Sequence, residues 1–201
     1  RNALLLQPSS ADDFSWMPPA YPPGFRLERQ PATKEFTSAV ANLALDPNVG
    51  DWQRALALAA HLTERAQDRG PIQSGLLRTY LGIREGYGYC ADFTKVFLGL
   101  AHAAGLAVRQ WSFSFDAFGG HGHVMVEIFD RQRGRWLWID VYNNFHACDP
   151  ATNEPLSALE LRESLLEQRP RAILVINGAG RPGYTIKAKA WDYYVRGAAE
   201  W

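Results

Sequence analysis

The chain has 201 residues, with 21 Lys plus Arg balanced by 21 Asp plus Glu, and 47% of its residues are hydrophobic. That length suits one core rather than two full domains, and the charge balance offers no electrostatic footprint for nucleic acid or an anionic membrane surface. No apolar run approaches the roughly 20 residues of a spanning helix, and the two cysteines, Cys90 and Cys148, are too few for a disulfide scaffold.

The start at Arg1 reads as that of a processed or trimmed chain. A soluble domain is expected, with secreted, periplasmic, anchored-fragment and cytoplasmic settings all open. Residues 1–40 read as an extended arm, because Pro18, Pro19, Pro22, Pro23 and Pro31 break any periodic pattern. A single domain is expected over 41–201, with its core at about 50–145. Asp51 caps a predicted helix to about Ala66, with Trp52, Ala55, Leu56, Ala59 and Leu62 on one face. A short helix follows around Ser74 to Leu81.

After the turn Gly86-Tyr87-Gly88, the stripe Phe93, Val96, Phe97, Leu100, Ala101 and Ala104 predicts a central helix that Gly105 ends. Strands are predicted at Ala107 to Phe115, Gly122 to Phe129 and Arg135 to Val141, the last two joined by Asp130-Arg131-Gln132-Arg133 as an antiparallel hairpin. Leu156 to Gln168 reads as a helix, Ala172 to Ile176 as a buried strand, and Tyr184 to Val195 as a further strand. The fold class is therefore α+β: N-terminal helices, then an antiparallel sheet.

Cys90 continues the stripe of the central helix one turn before Phe93, so it faces the element on which that helix packs. It also opens the helix, where unpaired N–H groups and the macrodipole favour a thiolate, the form that attacks carbonyls. A core cysteine filling a small gap is the alternative reading. A bridge to Cys148 would block such a nucleophile.

If the hairpin pairs Phe129 with Gly134, His123 falls opposite Asp140, with Cβ atoms roughly 5 Å apart. His123, Met125, Glu127, Trp136, Trp138 and Asp140 then share one face, while Val124, Val126, Ile128, Leu137, Ile139 and Val141 make a purely apolar one. The tryptophan-bearing face offers a partner for an apolar helix. The aspartate would fix the imidazole tautomer and leave the other ring nitrogen for the thiol proton. A plain cross-strand polar pair on a solvated face is the alternative.

His121 has the same parity as His123, and His121, His123 and Glu127 resemble the first metal motif of cupins. The second cupin motif has no match, because the only later histidine is His146. His146 and Asp149 are expected in a loop bordering a cleft. Tyr89, His121 and Trp138 are candidates for the wall of a substrate cleft.

Four segments together resemble the transglutaminase-like superfamily: Gly88-Tyr89-Cys90, Gly105-Leu106-Ala107-Val108-Arg109, His123-Val124-Met125-Val126-Glu127, and Trp136 or Trp138 before Asp140. Met125 stands where that family usually carries an aromatic. The resemblance implies a papain-like fold with a Cys90-His123-Asp140 catalytic triad, needing no cofactor or metal. It implies a thioester formed with a protein or peptide substrate, resolved by water in proteases and deamidases or by an amine in crosslinking enzymes. A non-catalytic binding or scaffolding module on the same fold is the alternative it leaves open.

Overall fold

The computed structural model describes residues 10–22, 34–46, 48–67, 69–114, 122–167, 173–180 and 194–197. Four helices come first: α1 (Lys34–Asn42), α2 (Asp51–Thr63), α3 (Leu76–Arg84) and α4 (Cys90–Ala103). Three strands follow, β1 (Val108–Ser114), β2 (Gly122–Asp130) and β3 (Arg135–Ile139), forming an antiparallel sheet in the order β1-β2-β3. Strand β4 (Phe145–Cys148), helix α5 (Ala158–Leu166) and strand β5 (Leu174–Asn177) complete the named elements, with β4 and β5 paired antiparallel.

The helix α4 stripe buries as its spacing requires: Phe93, Val96, Phe97, Leu100 and Ala101 are fully buried, and Gly105 leaves the helix at φ +71°. These side chains pack with α2 and with Val126, Ile128, Leu137, Ile139 and Val141 of the sheet. That is the purely apolar face, not the tryptophan-bearing face to which the sequence pointed. The tryptophan face instead packs Trp111, Phe113, Met125 and Trp138 against Phe145, Ala158, Leu161, Leu165 and Tyr194. Two apolar layers thus sandwich the sheet.

Several predicted boundaries move. The arm expected over residues 1–40 ends in α1, because Phe36 is buried against α4, where an added Cβ on Gly99 would lie 2.4 Å from the Phe36 ring. Helix α2 buries Leu58 as well, and Leu56 is partly buried against the same core. The segment carrying His146 is strand β4 rather than a loop. Tyr194 and Val195 lie in a helical turn at residues 194–197, not in a strand, and the rest of that predicted strand lies outside the described residues.

The hairpin register is two residues from the predicted one: Asp130 pairs with Arg135, and Phe129 with Trp136 rather than Gly134. Asp130 stays in the strand because its carboxylate accepts hydrogen bonds from the Gln132 and Arg133 N–H groups (2.8 and 3.2 Å), while Gly134 turns the chain at φ +64°. A slip of two is one full side-chain period, so every residue keeps its face.

Glu127 ties these layers together. Fully buried, it accepts from Arg109 Nε at 2.6 Å, from the Trp111 indole, and from the Ala158 N–H at 2.6 Å, where α5 begins. Arg109 also donates to the Phe14 carbonyl at 2.8 Å and lies 4.2 Å from the Trp136 ring centroid, holding the proline-containing arm on the sheet. Glu127→Ala would strand the Arg109 guanidinium, and a loss of about 3–5 kcal/mol is expected from urea unfolding. Wild-type stability in that variant would refute this account.

Candidate active site

The site begins at the first turn of α4. Gly88, at φ +113°, lets the chain approach Phe93 so closely that an added Cβ would lie 3.0 Å from its ring. The Asp92 carboxylate accepts from the Tyr89 N–H at 3.1 Å, and from the Ile72 and Gln73 N–H groups at 3.1 Å each. One buried carboxylate therefore caps α4 and pins the preceding loop beside it, fixing Cys90 as the first helical residue. Both cysteines are free thiols; Cys90 is partly exposed and Cys148 is buried, with its thiol pushed up by burial.

Cys90 acts on His123 where the start of α4 lies beside the start of β2. The Thr94 hydroxyl donates to the Val124 carbonyl at 3.2 Å, holding the second turn of α4 to the start of β2. The Tyr142 ring bridges the same junction, 5.6 Å from Phe93, 6.5 Å from Tyr89 and 6.4 Å from His123. His123 is 2% exposed, with Phe113 beside it at 5.8 Å. Its Nε2 is hydrogen-bonded to Asp140 Oδ2.

The ladder does not carry Asp140 directly opposite His123, as the sequence predicted. Pairing of β2 with β3 ends at Val126 with Ile139, and Asp140 bridges instead to Phe145. The observed register makes His123 and Asp140 diagonal neighbours on one face, still within reach of long side chains.

Asp140 is fully buried and saturated with donors. The Asn143 N–H reaches Oδ1 at 2.9 Å, while Asn143 Nδ2 and the Tyr194 hydroxyl reach Oδ2 at 2.9 and 2.6 Å. Burial raises the pKa of this carboxyl, but His123, Tyr194 and the Asn143 N–H together bring it below the ordinary carboxylate value. Burial likewise lowers His123, but the Asp140 carboxylate and, to a smaller extent, Cys90 outweigh it and push the ring up to about 10. Asp140 and Cys90 thus both favour the imidazolium form of this ring.

The other predicted site residues divide. Tyr89 is 45% exposed beside Cys90 and can wall a cleft. Trp138 cannot: it is fully buried against Phe145 and Tyr194, because the tryptophan face is covered. His121 lies outside the described residues. Glu127 is already committed to Arg109, Trp111 and Ala158, and His123 to Asp140, so neither is free to serve the cupin-type ligand set. His146 is buried edge-on to Trp52 at 5.1 Å, and burial lowers it to about 4. Asp149 receives the Ala151 and Thr152 N–H groups of a turn, at 2.7 and 3.1 Å. His146 is thus a strand residue packed on Trp52 rather than the loop residue expected beside a cleft.

The family model for the transglutaminase-like superfamily matches residues 40–141, half of the chain and all three of Cys90, His123 and Asp140. The chain belongs to the transglutaminase-like superfamily. Its α+β architecture is the papain-like, transglutaminase-like fold, and at family level it is of the cysteine-dependent enzyme type. The structure is also similar to a crystal structure described as a "Putative Cysteine Protease" from Cytophaga hutchinsonii. The two are 15% identical with a TM-score of 0.41 over 72% of this chain, which spans 46% of that one. No curated protein matches the sequence. No described helix is long and apolar enough to cross a membrane.

The superfamily match ends at Val141, and two groups holding Asp140 lie beyond it. Asn143 had a local signal, since an aspartate three residues before an asparagine at a strand end invites an Asx turn. Tyr194 had none, because its partner is distant in sequence.

Proposed function

We propose that this transglutaminase-like chain is a cysteine-dependent acyl-transfer enzyme acting on peptide or glutamine-type amide carbonyls. Cys90 is the nucleophile, His123 the general acid and base, and Asp140 the residue that orients the ring. The observation that carries this reading is the imidazole itself: its Nε2 is bound to a buried, donor-saturated carboxylate, and Cys90 acts on the same ring.

The proton of the Cys90 thiol is held on His123, so the Cys90 sulfur attacks the carbonyl carbon as a thiolate, and the C–N bond breaks as the His123 imidazolium delivers that proton to the leaving nitrogen. A thioester and a free amine, or ammonia, result. Neutral His123 then takes a proton from water, whose oxygen displaces sulfur, and a carboxylic acid leaves. The Cys90 N–H at the α4 N-terminus is a donor for the oxyanion. Hydrolysis is the leading outcome; an amine in place of water would give crosslinking. The partner is a protein or peptide, with no role for nucleic acid, membrane insertion, cofactor or metal. Catalysis belongs to one domain whose helical part begins at α1.

A panel of carbonyl-directed electrophiles built on peptide and glutamine-amide scaffolds tests the reading by intact-mass spectrometry. One covalent adduct on Cys90, lost in His123→Ala, is expected, and the best scaffold identifies the carbonyl class. Equal labelling of Cys90 and an unfolded-chain thiol would overturn the proposal and favour a binding module.

A further inference from the structure

The helical turn at residues 194–197 lies outside the segment that defines the family, yet it closes the buried side of the His123 site. Tyr194 is fully buried and its hydroxyl donates to Asp140 Oδ2 at 2.6 Å. The Tyr194 hydroxyl oxygen accepts from Asn143 Nδ2 at 2.8 Å, and Asn143 Nδ2 also donates to Asp140 Oδ2 at 2.9 Å. The three groups form a closed ring in which both amide hydrogens, the phenol hydrogen and the carboxylate are used. The Tyr194 ring also stands edge-on to His123 at 5.9 Å and to Phe113 at 6.2 Å. One turn later Gly197 lies so close that an added Cβ would be 2.3 Å from the Phe113 ring, the ring beside His123.

We infer that Tyr194 is a positioning residue for the acyl-transfer reaction, acting through Asp140 on the His123 ring, and that the turn at 194–197 is a built part of the site. This rests on the function proposed above. The physical case is that Asp140 Oδ2 must serve the His123 Nε2 from one orientation. An isolated carboxylate can rotate about its Cβ–Cγ bond; one held by Asn143 and Tyr194 cannot. A phenol donor also favours the anionic carboxylate, the form that supports imidazolium. Among the described residues, the titratable groups that act on this carboxylate are His123 from β2 and Tyr194 from the turn, and Cys90 acts on the same imidazole.

Tyr194→Phe in the full chain removes one oxygen and leaves the ring packing. Cys90 alkylation by iodoacetamide, followed by mass across pH, reads the pair without a known substrate. The expected result is a roughly 10- to 100-fold slower alkylation at neutral pH, as for loss of a hydrogen bond to a charged group. The acid limb of the profile should also move to higher pH. A residue that served only packing would lower the melting temperature and leave that limb where it is. Gly197→Ala, which keeps the hydroxyl but pushes the turn off Phe113, should move the limb in the same direction, and it decides the matter if Tyr194→Phe does not fold. Wild-type rate and limb in folded Tyr194→Phe, or in Gly197→Ala should that variant have to decide, would overturn the inference. Wild-type alkylation that is unaffected by His123→Ala would instead bring down the triad reading, and this inference with it.

Discussion

Cys90→Ala is expected to abolish acyl-enzyme formation while leaving the fold intact. An activated peptide ester, quenched in acid and weighed as intact protein, should add one acyl mass to the wild type and none to the variant. Turnover should fall on the order of 10⁴-fold or more, the scale seen when a covalent nucleophile is removed. The fold should survive because α4 is anchored elsewhere. Phe93, Val96, Phe97 and Leu100 carry its apolar face, and Asp92 caps its start through the Tyr89 N–H. Alanine is also a favourable residue at a first helical position, so the urea midpoint should shift by no more than about 1 kcal/mol equivalent. Retained acylation in Cys90→Ala would move the chemistry to another group, and Cys148 is buried.

How much of this site could be read from the sequence depends on which interactions are periodic. The central helix was legible because its apolar stripe repeats at helical spacing and Gly105 stops it. The face shared by His123 and Asp140 was legible because strand parity survives a two-residue register error. The register itself was not, because it hinges on Asp130 collecting loop N–H groups rather than entering the loop. Which face received α4 was also illegible: both faces are apolar enough to be covered, and only the rest of the chain decides which layer goes where. Glu127 illustrates the same limit. Its place in a His-x-His pattern suggested a metal ligand, but the opposed Arg109 and the start of α5 had prior claims on its oxygens. Strand β4 hid behind its short length, and Phe36 behind the proline-rich composition preceding it.

Asp140→Asn is expected to lower turnover about 10³- to 10⁴-fold, since an amide in place of the carboxylate can present N–H to Nε2 and impose the wrong tautomer. Its effect on stability should depend on pH in a way that separates electrostatics from packing. In the wild type His123 is raised from an ordinary 6.5 to about 10. Its contribution is thus full below pH 6.5 and is lost as pH rises through about 10. Asp140 is depressed, so its contribution is present above the ordinary value of 3.8 and disappears as pH falls through the lower folded value. Both are in force between those limits. In Asp140→Asn only Cys90 remains to oppose the burial that lowers His123, and the buried ring should lose its proton at a much lower pH than in the wild type. The stability gap between wild type and variant should then be widest near pH 5, about 3–5 kcal/mol as for a broken buried pair. It should narrow steadily toward pH 10. Urea unfolding at pH 5, 7, 9 and 10 measures this directly. A gap that stays constant across that range would mean that His123 is not held charged by Asp140, and the imidazolium would have to be abandoned as the proton donor to the leaving nitrogen.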